Sequence, residues 1–190
     1  MDRREAINRV ALLFGGTVIG AEFFLSGCKS GSSFDTDDLL DKDTVAYMNQ
    51  IGETILPQTA TPGAAAANVG GFMAIMVRDC YDTNDQKVFK EGLKKLDEAC
   101  VKKFDKGFMK AEDGQRTALL NELDKEQKEY SKTKKEDAPN HYFTMLKQLT
   151  LLGYFTSEVG CTKALRYVPV PGKYIGDYPY MKGDKAWALA

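Results

Sequence analysis

Between residues 85 and 106, Phe89, Leu93, Leu96, Cys100 and Phe104 recur at three- and four-residue steps, with lysines and acids filling the positions between them. That is the period of an α-helix with one apolar stripe. Such a helix is stable only when the stripe is covered, and the rest of the chain offers the cover. Residues 37–55 carry Leu40, Val45, Met48, Ile51 and Ile55 at helical steps, behind the acids Asp35, Asp37, Asp41 and Asp43. Acids at a helix start favour its dipole, so the first helix is predicted over 37–55. Two prolines and a glycine then force a loop at residues 57–63. A second helix is predicted over 64–81, where Gly70 and Gly71 imply close packing against a neighbour, since glycine is costly inside a helix. The third helix, 85–106, has Gly107 as its expected C-cap. A fourth begins near Asp113, carries Leu119, Leu120 and Leu123, and runs into the charged stretch 124–137, read as a solvated helix end and surface loop. After Pro139, a fifth carries Tyr142, Phe143, Leu146, Leu149 and Leu152. The expected fold is all-α, an irregular bundle of four to five helices.

From about residue 161 the texture changes. Pro169, Pro171 and Gly172 are interleaved with Tyr167, Tyr174, Tyr178, Tyr180 and Trp187. Prolines deny this tail both helix and central-strand geometry, and its aromatics are too many to leave in water without cost. An extended tail is expected, either wrapped on its own bundle or covering a partner protein.

At the other end Arg3 and Arg4 stand just inside the start, with Ile7 downstream. This resembles a twin-arginine export signal, although Asp2 and Ala6 depart from its usual residues. Residues 10–25 are apolar but diluted by Gly15, Gly16, Gly20 and Glu22, too weak for a stable membrane span. Leu25, Ser26, Gly27 and Cys28 look like a lipobox, in which Cys28 takes the lipid anchor. A buried helix ending in a chance cysteine is the competing reading, and position, composition and spacing all run against it. The expected division is a signal over 1–27, a flexible tether over 28–36 and one helical domain over 37–190. The mature chain is then a lipoprotein on a bacterial envelope membrane, facing the periplasm.

Chemistry-bearing motifs are sparse. With 190 residues and a net charge of -1, the chain has room for one domain and no field to attract nucleic acid. Beyond Cys28, the cysteines Cys80, Cys100 and Cys161 form no metal or haem spacing. Cys80 and Cys100 are read as small buried hydrophobes on helical faces, with a disulfide between them as the alternative. His141, the one histidine, is a poor metal site by itself and is expected near a helix start. Ser157 beside Glu158 is rejected as a nucleophile and base, because adjacent helical side chains point apart.

Three blocks, residues 55–64, 149–160 and 167–172, resemble the gluconate 2-dehydrogenase subunit 3 family. That resemblance implies a non-catalytic small subunit with no cofactor of its own. Its partner would be a large subunit of the glucose-methanol-choline type holding FAD, with a cytochrome c subunit as a possible further member. Ala60 stands where the family often has Asp, and the lipobox is not a general family feature. The contacts to the partner are expected at Tyr154, Thr156, Ser157 and Glu158 and, in the tail, at Tyr167, Pro169, Pro171, Gly172 and Tyr174. A free-standing periplasmic lipoprotein that binds a ligand or scaffolds the envelope is the alternative.

Overall fold

The computed structural model describes residues 36–170 and 172–188; Arg3, Arg4, Cys28 and Pro171 lie outside them. Among the described residues the fold is all-α, with five α-helices: α1 (Lys42–Ile55), α2 (Val69–Cys80), α3 (Thr83–Phe104), α4 (Asp113–Thr133) and α5 (Tyr142–Thr156). No described helix is long and apolar enough to cross a membrane.

The helix starts are set by side-chain caps. α1 begins at Lys42, not at residue 37, because Asp38 closes a turn on the Leu40 N–H and Asp41 accepts from the N–H groups of Asp43 and Thr44. Asp82 caps α3 by accepting the Asp85 N–H at 2.8 Å. Glu112 and Gln115 form a reciprocal box at the start of α4. His141 caps α5, its Nδ1 accepting the Phe143 N–H at 3.2 Å, which places it at the helix start expected from the sequence. The second helix is split: a 3-10 turn, Ala65–Ala67, and a left-handed Asn68 precede α2. Gly107 is not the cap of α3; Asp105 takes the left-handed position, at φ 56. Gly107 instead lets residues 107–111 lie against α3, where buried Asp97 accepts the Phe108 N–H at 2.8 Å.

The stripe that opened the sequence reading is the floor of the core. Phe89, Leu93, Leu96 and Cys100 are completely buried, together with Tyr47 and Met48 of α1. The Tyr47 ring meets Phe108 edge-on at 5.7 Å and its hydroxyl donates to the Leu93 carbonyl. Where α1 crosses α2, the Gly70 position is pressed onto backbone: a Cβ there would lie 2.4 Å from the Val45 carbonyl oxygen. Asn49 seals the crossing by accepting the Gly70 N–H at 2.8 Å. The close packing inferred from Gly70 is therefore a helix crossing. Cys80 departs from expectation. It ends α2 exposed, whereas Cys100 is buried, and both are free thiols, as is Cys161.

The charged stretch after Leu123 remains helical to Thr133, with Asp124 held by Lys128 and Lys147 at 2.6 Å each. α5 does not stop cleanly either. Residues Gly160–Ala164 form a single π-helical turn, so the irregular tail starts at Leu165 rather than at 161.

Candidate functional site

The end of the bundle where α1 and α5 both finish is built around the 57–63 loop. Glu53 lies in the last turn of α1, where an acid opposes the helix dipole. It is kept there by the loop: its carboxylate accepts the Gln58 and Ala65 N–H groups, each at 2.8 Å. Gly63 makes room for it, since a Cβ there would lie 2.2 Å from the Glu53 carboxylate. From the opposite side the Tyr154 hydroxyl donates to the Pro62 carbonyl at 2.6 Å. The loop is thus clipped at both flanks, and residues 57–60 face solvent.

Beyond Tyr154 the chain folds back on itself. The Ser157 hydroxyl donates to the Tyr154 carbonyl at 2.7 Å and accepts the Gly160 N–H at 3.0 Å. Gly160 sits so close to the end of α5 that a Cβ would come within 1.9 Å of the Tyr154 carbonyl oxygen. Thr156 bonds back to Leu152, and the Thr162 hydroxyl donates to the Glu158 carbonyl. Ser157 is therefore engaged with backbone on both its donor and acceptor sides, an arrangement that shapes a turn.

The tail is closed by Arg166. Its guanidinium lies 4.5 Å over the Trp187 ring and 5.6 Å from the Tyr178 ring centre, donates to the Lys185 carbonyl, and pairs with Asp184 at 3.5 Å. Its backbone completes the closure, donating to Ala186 and accepting from Ala188. Gly183, at φ +98, allows the turn that brings Asp184 back. The tail does not wrap the bundle as an extended cover. It forms a loop pinned at its neck, with Tyr174 95% and Tyr180 77% exposed.

The expected contact residues consequently separate. Tyr154 is only 4% exposed, and it holds the loop from inside. Ser157 is half-buried, whereas Thr156, Glu158, Tyr167, Pro169, Gly172 and Tyr174 are exposed. Phe155, Leu151 and Leu152 add an exposed apolar flank on α5. Sequence reasoning missed Glu53 and the role of Arg166. An acid in the last turn of a helix was the available signal for the first. For Arg166 there was only its company of aromatics, because its partners are 12 to 22 residues away.

A groove of about 280 Å³ runs beside the clipped loop, lined by Gln50, Glu53, Thr54, Pro57, Asp113 and Thr117 among others. Its carboxylates are already engaged, Glu53 with the loop and Asp113 with Arg116 at 2.6 Å. A second groove, about 180 Å³, continues past Thr54 and Thr117 to Asp124 and Lys147. Among the described residues no group of three or more His, Cys, Asp or Glu side chains is placed to hold a metal ion.

The sequence model of gluconate 2-dehydrogenase subunit 3 matches residues 42–172. The chain belongs to the gluconate 2-dehydrogenase subunit 3 family. No curated protein and no solved structure matches it. The subunit 3 match starts on the first residue of α1 and runs through all five helices. It ends at Gly172, inside the tail loop, so that Tyr178, Asp184 and Trp187, which grip Arg166, lie beyond the matched span. The first two of the three resembling blocks meet in space at one bond, Tyr154 to Pro62.

Proposed function

We propose that this chain is a non-catalytic accessory subunit that binds a flavin-dependent sugar or alcohol dehydrogenase, helps export it and anchors it to the membrane. The observation that carries this reading is the subunit 3 match over residues 42–172. FAD belongs to the large subunit, of glucose-methanol-choline type, and a cytochrome c subunit is the natural onward acceptor. The chemistry of the chain agrees with a supporting role. The Ser157 hydroxyl is engaged with backbone, and the groove carboxylates are held by the loop and by Arg116.

Contacts with the large subunit fall to the exposed residues at the clipped end, Thr156, Glu158 and the 55–64 loop, and to the tail from Tyr167 to Tyr174. Tyr154 contributes by fixing the shape of that loop. Arg3 and Arg4 direct the chain to the twin-arginine route, which carries folded cargo, so a flavin-loaded partner without its own signal travels with it. Cys28 then holds the complex on the membrane, facing the periplasm, with the stretch before buried Thr36 as the tether.

Affinity purification of the tagged full-length chain from its own membranes tests the reading. Flavin and dye-linked sugar oxidation are expected in the eluate; a colourless chain by itself overturns it. For export, the paired change Arg3→Lys and Arg4→Lys is expected to strand both proteins in the cytoplasm.

A further inference from the structure

The tail loop differs from the bundle in how its apolar surface is arranged. Nine of the sixteen exposed large hydrophobic side chains among the described residues lie between Tyr167 and Trp187. Tyr174, Tyr180 and Met181 are the extreme cases, at 95%, 77% and 71% exposed, with Val170 at 79%. A loop this apolar would ordinarily collapse onto the nearest core. Here its neck is fixed instead, by two backbone hydrogen bonds between Arg166 and residues 186 and 188 and by the Arg166 guanidinium over Trp187 and Tyr178. Cation–aromatic stacking of this kind is directional, and a closed neck lowers the entropy cost of ordering the loop on binding.

The charges within the loop have a pattern of their own. Asp184 is taken by Arg166, and Lys185 donates to the Lys163 carbonyl. Lys173 and Lys182, which flank the exposed aromatics, take part in no described ion pair. Asp177 lies between them in sequence, and this mixed-sign set suits a complementary protein surface better than an anionic lipid layer, which favours a uniformly basic one.

We infer that the clasped loop 166–187 is the selectivity element by which this chain recognises its own large subunit, seating Tyr174, Tyr180 and Met181 in apolar pockets rimmed by carboxylates that face Lys173 and Lys182. This rests on the proposed subunit role. It goes further in dividing the labour: the bundle, the clipped loop and Arg166 lie within the family match, whereas the residues that grip Arg166 and those at the loop's tip lie past Gly172. Arg166 acts as a positioning residue, holding the loop in its binding shape without touching the partner.

The test uses the full-length chain purified with its partner, carrying a photo-crosslinking amino acid at position 174 or 180. The expected product is a covalent adduct with the flavin-carrying polypeptide. In parallel, Tyr174→Ser with Tyr180→Ser, and separately Arg166→Ala, should weaken the complex about tenfold or more, as loss of central contact residues does. Thermal unfolding of the free chain should barely move in these variants, because the loop is apart from the core. Lys173→Glu with Lys182→Glu should weaken the complex most at low salt and flatten its salt dependence, because screening relieves the new repulsion. Adducts only to a second copy of this chain, or only to lipid, overturn the inference, as does full affinity in the Tyr174 and Tyr180 double variant. Those outcomes leave the subunit role intact if flavin still co-purifies. Failure to recover any flavoprotein with the wild-type chain overturns both.

Discussion

The Tyr154 hydroxyl and the Pro62 carbonyl, 92 residues apart in sequence, are joined by a 2.6 Å hydrogen bond that ties the end of α5 to the loop after α1. Glu53 grips the same loop from the other flank, so the solvent-facing edge at residues 57–60 has a fixed shape.

Tyr154→Phe removes that bond while leaving the ring packed. The expected cost is about 1 kcal/mol, the usual net worth of a hydrogen bond, with little disturbance of the core. Hydrogen exchange should quicken at Ala64 and Ala65, whose N–H groups are bonded within the clip, and stay unchanged in α3. Unchanged protection at both positions would show that the clip does not hold the loop.

Two glycine substitutions should act in opposite directions. Gly70→Ala drives a Cβ to 2.4 Å from the Val45 carbonyl oxygen, and backbone cannot step aside as a side-chain tip can. A loss of about 2 kcal/mol or more is expected from forcing α1 and α2 apart. Gly114 in the first turn of α4 has nothing within 4 Å of such a Cβ, so Gly114→Ala should stabilise by about 0.5 kcal/mol through the unfolded chain. Urea unfolding of the two variants measures both.

His141 makes stability fall on mild acidification. Burial pushes its pKa below the ordinary 6.5, against the pull of Glu126 and with a smaller push from Lys95. Tyr130 and Tyr142 also face the ring. Because the unfolded chain takes up the proton first, stability is full above about 6.5 and is lost as pH falls through the lowered folded value. Protonation also removes the Nδ1 lone pair that caps α5. As the one histidine, it gives an isolated NMR signal whose midpoint should fall below 6.5. His141→Asn keeps a cap and should abolish this pH step; a midpoint above 6.5 contradicts the account.

Asp124 governs a lower window. Hydrogen bonds from Lys128 and Lys147 hold its pKa at about 2, below the usual 3.8. Its contribution is present above about 3.8 and is lost as pH falls through about 2. Asp124→Asn should therefore be less stable than wild type at neutral pH, with the gap narrowing between pH 4 and pH 2. A gap that is constant with pH would remove the two lysines from the explanation.

What could be read in advance follows from the range of the forces involved. The α3 stripe was legible because helical period and burial report the same fact, and all of Phe89, Leu93, Leu96 and Cys100 are buried. α5 was legible as a helix, but its orientation was not. Leu151, Leu152 and Phe155 are apolar and exposed beside buried Leu149 and Tyr154, so periodicity could not select the inner face. Tyr154 was accordingly expected at the surface along with Thr156 and Glu158. The start of α1 was misplaced because aspartates serve equally as first-turn acids and as turn-forming caps, and Asp38 and Asp41 do the latter. The clasp at Arg166 depends on a turn at Gly183 and on contacts across about twenty residues, which local pattern does not encode.

The central claim, that this chain is a supporting subunit bound to a flavoprotein, is tested most directly by native mass spectrometry of the complex purified through the tagged chain. The predicted result is a species that separates, on activation, into this chain and a larger polypeptide, the flavin leaving with the larger one. A free chain at its own mass, or a homo-oligomer without flavin, would contradict it.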